Sequence, residues 1–138
     1  MDPALASAIR AELRAFVNGA GTRRALATTC HVGHPGGEHA RWPHDVTVDH
    51  SVRTDLVERA IDGLLVVDRA CAWVTRGGEL DVTDADAEWF AAARTAFSHH
   101  GLRLPAFFVL NRSGWVDLVS DERRAWSRVR RSPYLKAR

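Results

Sequence analysis

The stretch that most constrains this chain is PAFFVL, residues 105–110, six consecutive positions without a polar side chain. Successive side chains of a strand point to opposite faces, so an unbroken apolar run marks a strand covered on both faces. Such a strand needs helices on either side of its sheet, and the sequence offers several.

Residues 3–18 carry Leu5, Ile9, Leu13 and Phe16 at helical spacing, with Asp2 as N-cap, Pro3 in the first turn and Gly19 after the end. A second helix is expected from about Ser51 to Asp62, with Val52, Leu56, Ala60 and Ile61 on one face and Gly63 closing it. The third is bounded by a capping pair, Thr83 and Asp86, and by Gly101, with Trp89, Ala93 and Phe97 as its apolar stripe. Between these helices lie apolar runs that read as strands, at 25–32, at 70–75 (ACAWVT) and at 105–110. Residues 115–119 suit a short fourth strand, joined through a turn at Ser113-Gly114. Residues 121–131 read as a final helix, with acids at its start and arginines at its end.

The element order is therefore α-β-α-β-α-β-(β)-α. Strands alternating with helices imply parallel pairing through right-handed crossovers, hence a small three-layer α/β fold with a mostly parallel sheet of three to four strands. With 138 residues and 46% hydrophobic content, one domain over 1–138 is expected. No stretch reaches the length of an apolar membrane span, and charges interrupt the N-terminal apolar runs too early for a signal peptide. The two cysteines, Cys30 and Cys71, suggest no disulfide framework, which points to a reducing compartment, the cytoplasm.

A parallel sheet also locates a site, because ligands bind beyond the carboxyl ends of its strands. Those ends would be the loop from His31 onward, the segment Thr75-Arg76-Gly77-Gly78-Glu79, and Asn111-Arg112-Ser113-Gly114. If the strands are parallel, the three loops converge on one edge. Arg76 and Arg112 supply positive charge there, and backbone amides of Gly77 and Gly78, with Asn111 and Ser113 beside them, suit a small anion such as a phosphate or carboxylate.

The first of these loops, CHVGHPGGEHARWPH (30–44), suggests a second chemistry. Cys30, His31, His34 and His39 are candidate zinc ligands, since imidazole and thiolate are the ligands zinc takes and a turn can converge them. No paired C-x-x-C or H-E-x-x-H template accompanies them, and zinc is the one cofactor the sequence suggests. Nucleotide-binding loops of the G-x-x-x-x-G-K-[ST] and G-x-G-x-x-G types are absent, and the single lysine is Lys136. Cys30 and His31 are adjacent, so on a strand they face opposite ways and make a poor nucleophile-base pair.

The net charge of +2 hides an uneven distribution. Residues 123–138 hold seven basic residues and no acid, which leaves twelve basic against seventeen acidic residues, a net of −5, over 1–122. The basic C-terminal segment, about 121–138, offers arginines with Trp126 and Tyr134 for a nucleic-acid backbone, or for docking onto the acidic remainder. The expectation is a binding or interaction domain whose partner is a small anionic ligand or a protein, acting at the sheet edge. A metal-dependent hydrolase built on loop 30–50 is the alternative, and nucleic-acid binding through the tail is a weaker one.

Overall fold

A computed structural model describes residues 1–126. Its elements are α1 (Pro3–Ala20), β1 (Thr29–Gly33), β2 (His39–Pro43), α2 (His50–Gly63), β3 (Cys71–Thr75), α3 (Asp84–His99), β4 (Phe107–Leu110), β5 (Gly114–Asp117) and β6 (Arg123–Ala125).

The six strands form one sheet in the order β2-β1-β3-β4-β5-β6. Only β3 and β4 pair in parallel; β1 runs antiparallel to both β2 and β3, and β4-β5 and β5-β6 are antiparallel. The mostly parallel sheet of three to four strands expected from the sequence is therefore wrong, and the fold is α+β. The cause is one overlooked strand. Residues 33–48, with their glycines and prolines, read as a long loop, yet HARWP within them is β2, the return arm of a hairpin. Its outer edge is unpaired in the sheet and its side chains are half exposed or exposed, so it carries no apolar signature. Because β2 reverses the chain before α2 crosses over to β3, β1 ends up antiparallel to β3 and lies between β2 and β3.

A hairpin is possible here because residue 33 is glycine. Gly33 has φ 143°, and a Cβ there would collide with the Glu38 carbonyl oxygen. Gly114 permits a similar approach of the Arg124 backbone, which brings β6 alongside β5. The second correction lies there: residues 123–125 form a strand, not part of a helix over 121–131. The remainder of that expected helix, from residue 127, lies outside the described residues.

PAFFVL behaves as its composition requires. Phe107 and Val109 face a core shared with α2 and α3, among Cys30, Val32, Val57, Ile61, Val74, Trp89 and Phe97. Phe108 and Leu110 face the other way, with Cys71, Trp73 and Trp115, against Ile9, Leu13 and Val17 of α1. Burial of whole side chains on both faces, at roughly 1.5–3 kcal/mol each, is what holds the layers together. Helix ends follow the sequence closely: Asp2 accepts from the Ala4 amide, and Thr83 and Asp86 cap α3 reciprocally. Among the described residues no helix is long and apolar enough to cross a membrane.

The antiparallel placement of β1 also separates the three loops expected to converge. In register Gly33 pairs with Cys71 and Thr29 with Thr75, so the histidine hairpin tip lies at the amino-terminal end of β3. The Arg76 and Asn111 loops leave the opposite end.

Candidate functional site

The two loops that do converge follow the parallel strands β3 and β4. The Asn111 amide nitrogen donates to the Gly78 carbonyl (2.9 Å), tying one loop to the other, while its side-chain oxygen accepts from the amides of Ser113 (2.8 Å) and Gly114 (2.9 Å). Asn111 thus builds the edge.

Arg76 builds it too. Its side chain is buried against Asp86, which is fully enclosed, with Nε at 3.0 Å and a terminal nitrogen at 2.8 Å from the two carboxylate oxygens. The other terminal nitrogen donates to the carbonyls of Gly77 (2.9 Å) and Glu79 (2.6 Å), and the Asp81 carbonyl takes a further bond (2.9 Å). A guanidinium has five N–H groups, and these acceptors occupy all of them. Arg76 is a clamp on the segment 77–81 and has no donor left for a ligand. The same Asp86 carboxylate accepts from the Thr83 amide, so one buried group both caps α3 and neutralises Arg76.

Segment 77–81 stands as a ridge between two clefts. One, of about 530 Å³, is lined by Arg24, Arg112 and Arg123, by Asn111 and Ser113, and by the ridge itself. In this groove Arg112 is anchored by a bond from one terminal nitrogen to the Arg23 carbonyl, while its Nε is withdrawn from solvent and has no partner among the described residues. Among the described residues Arg24 and Arg123 make no ion pair, and the carboxylates of Glu79 and Asp81 pair with none of these arginines.

The other cleft, about 720 Å³, has the opposite character: Glu79, Asp81, Asp84 and Glu88 line it, with Thr28, His44 and Val46. His44 arrives here because β2 carries the chain back from the hairpin tip, and its amide closes on the Thr28 carbonyl (2.8 Å). Trp89 Nε1 donates to His44 Nδ1 (3.0 Å), which places the proton of the neutral ring on Nε2.

Of the hairpin's other candidate ligands, His31 and His39 lie close together, with ring centroids 5.2 Å apart, and Cys30 and His34 lie elsewhere. Cys30 packs into the α2/α3 core, and burial pushes its thiol pKa strongly up; His31 points to the opposite face. His31 stacks on Trp73 (ring centroids 5.2 Å apart, planes 3° apart) and its Nε2 lies 2.9 Å from Thr75 Oγ1. Burial first, then the nearby charges of His39 and Arg41, push the His31 pKa down to about 3. Among the described residues its Nδ1 has no partner, so none of them orients the ring as a nucleophile's base would require. His34 Nε2 donates to the Val66 carbonyl (2.7 Å), and His39 Nδ1 to that of Gly37 (2.9 Å). Among the described residues no three His, Cys, Asp or Glu side chains gather closely enough to hold a metal ion.

Of the residues singled out from the sequence, Gly77, Gly78, Asn111, Arg112 and Ser113 line one groove, with Arg76 buried beneath the ridge. His31 and His39 meet against Trp73 in the middle of β1 and at the start of β2, with ring centroids 5.2 Å apart, while Cys30 faces the opposite side of the sheet and His34 lies at the hairpin tip. Sequence reasoning missed Arg24, which sits in an unpatterned link, and Arg123, which was assigned to a helix. It recognised Asp86 as a cap but not as the partner of Arg76, because the ten-residue separation has no local periodicity. Compared with protein-family models, curated proteins and solved structures, the chain has no match.

Proposed function

We propose that this chain is a binding module that takes an anionic group, phosphate or carboxylate, in the groove formed by Arg24, Arg112 and Arg123. The observation that carries this reading is Arg112. Its position is fixed by the Arg23 carbonyl, yet it keeps a desolvated N–H without an acceptor among the described residues. An unsatisfied buried donor costs about 1–3 kcal/mol, so the guanidinium gains from turning that N–H out to an anion in the groove, with a charge-assisted hydrogen bond. Arg24 and Arg123 add charge that the described residues leave unpaired, and Gly77 and Gly78 leave their part of the wall without side chains, while Glu79 and Asp81 line both clefts.

Isothermal titration with inorganic pyrophosphate and with citrate tests this. Binding is expected to weaken as salt rises, and to fall by about tenfold or more in Arg112→Ala, the free-energy equivalent of one lost charge-assisted bond. Binding unchanged in Arg112→Ala and in Arg24→Ala overturns the reading. Arg76→Ala is not an informative variant here, since that side chain reaches only protein atoms.

A further inference from the structure

The ridge between the clefts is better made than a surface loop needs to be. Three of its carbonyls, at Gly77, Glu79 and Asp81, accept from the buried Arg76, and Leu80 turns inward against the α2/α3 core. Its two acids, Glu79 and Asp81, are exposed and have no cationic partner among the described residues. They line the same groove as Arg24, Arg112 and Arg123, yet no ion pair forms across it. A rigid acidic ridge therefore lies beside a basic groove that it does not fill. Val82, 55% exposed, follows the ridge, and Val46, 85% exposed, lies across the acidic cleft, so apolar surface flanks the charges.

We propose that the groove is filled by the Gly78–Asp81 ridge of a second copy of this chain, in a two-fold dimer. The proposal rests on reading the groove as an anion site, and it names the source of the anion as carboxylate from Glu79 and Asp81. A two-fold interface uses the same patch on both subunits, so that patch must be self-complementary. Adjacent acidic and basic elements satisfy this: rotation about an axis near Gly78 sets each ridge in its partner's groove. The clamp by Arg76 matters because a ridge already held in one conformation loses little entropy on docking. The glycine at 78 leaves the crossing point without a side chain. Unpaired charges within each copy become paired between copies, and Val82 and Val46 supply apolar contact at the rim.

Charge reversal on the full-length protein tests this by sedimentation velocity and light scattering. The parent chain is expected to dimerise, more weakly at high salt. A groove variant, Arg112→Glu with Arg123→Glu, and a ridge variant, Glu79→Arg with Asp81→Arg, should each self-associate at least about tenfold less tightly. Mixed in equal amounts they should form a heterodimer, because one contact keeps its native signs and the other is reversed on both sides. Thermal melts matching the parent's establish that the variants fold. A parent chain that stays monomeric at every concentration overturns the proposal, as does a mixture that fails to associate. Pyrophosphate separates this inference from the anion reading. A monomer that still binds pyrophosphate through Arg112 keeps the groove and discards the dimer, whereas a dimer should dissociate as pyrophosphate occupies the groove.

Discussion

The two ends of the sheet are built from similar residue types and handle them in opposite ways. At the carboxyl end of β3 and β4 an ion pair is buried in order to hold a surface ridge, and around it Arg24, Arg123, Glu79 and Asp81 line open clefts with no ion-pair partner among the described residues. At the amino end the polar side chains are turned inward to fasten loops. Asp117 accepts from the amides of Phe107 (2.9 Å) and Val119 (3.0 Å) and from the Ser120 hydroxyl (2.7 Å). His34 and Glu38 of the hairpin hold the backbone of Val66 and Leu65. Apolar side chains are exposed at that end as well, Leu65 at 89% and Val66 at 59%, beside the charged Asp68 and Arg69. One end is a charged edge on a rigid support, and the other is a set of tied loops. Rigid charge without partners among the described residues is what makes the first end the candidate site.

The largest effect should come from the support itself. Arg76→Ala leaves the enclosed Asp86 carboxylate without its counter-charge and removes the acceptors' donor from the ridge, a loss of about 3–5 kcal/mol. Urea denaturation measures it, and amide exchange sharpens the comparison. Protection should collapse over 77–83, while the Leu65 amide at the other end exchanges at the parent's rate. Equal loss at both ends would show that the ends are not independent.

A second test uses acid. His31 has a folded pKa near 3 against 6.5 for the free side chain, so between those values the unfolded chain binds a proton that the native one does not. Stability must therefore decline as pH falls from 6.5 towards 3, by at most about 1.4 kcal/mol per pH unit from this residue. His31→Phe, which retains the stack on Trp73, should flatten that slope in chemical denaturation measured at several pH values. An unchanged slope would mean that the ring is hydrated.

The smallest effect has the opposite sign. His100 sits at the end of α3 with Nε2 at 2.9 Å from Asp62 and Nδ1 at 3.0 Å from the Ala96 carbonyl. The bond to Asp62 first, then that to Ala96, raises its pKa above 6.5. Its stabilisation is complete below 6.5 and disappears as pH rises through the folded pKa. As an exposed pair it contributes less than about 1 kcal/mol. His100→Gln should leave stability at pH 9 nearly unchanged and lower it slightly at pH 6; a larger loss at pH 9 would contradict this sign.

Much of the fold was legible locally. The caps at Asp2 and Thr83, the stripe Trp89-Ala93-Phe97 and the double-faced run PAFFVL each lie within a few residues, and each formed as its chemistry requires. β6 and β2 were not legible, for one shared reason: both are short edge strands whose side chains meet water, so no alternation marks them. Half the candidate site was readable, because Gly77, Gly78 and Asn111-Arg112-Ser113 follow strands that do run in parallel. The role given to Arg76 was not, since nothing local says whether an arginine beside two glycines faces a ligand or a carboxylate ten residues on.

The amino-acid sequence by itself determined the three helices α1, α2 and α3 and the run buried on both faces, since these depend on propensity, capping and hydrophobic pattern over a few residues. Only the tertiary structure decided strand direction and charge pairing. A single hairpin turn at Gly33 reverses β2 and, through the crossover that follows, sets β3 and β4 antiparallel to β1, sending the histidine tip to one end of the sheet and the arginine groove to the other. Whether a charge is buried with a partner or left facing a cleft depends on what the other layers bring to it.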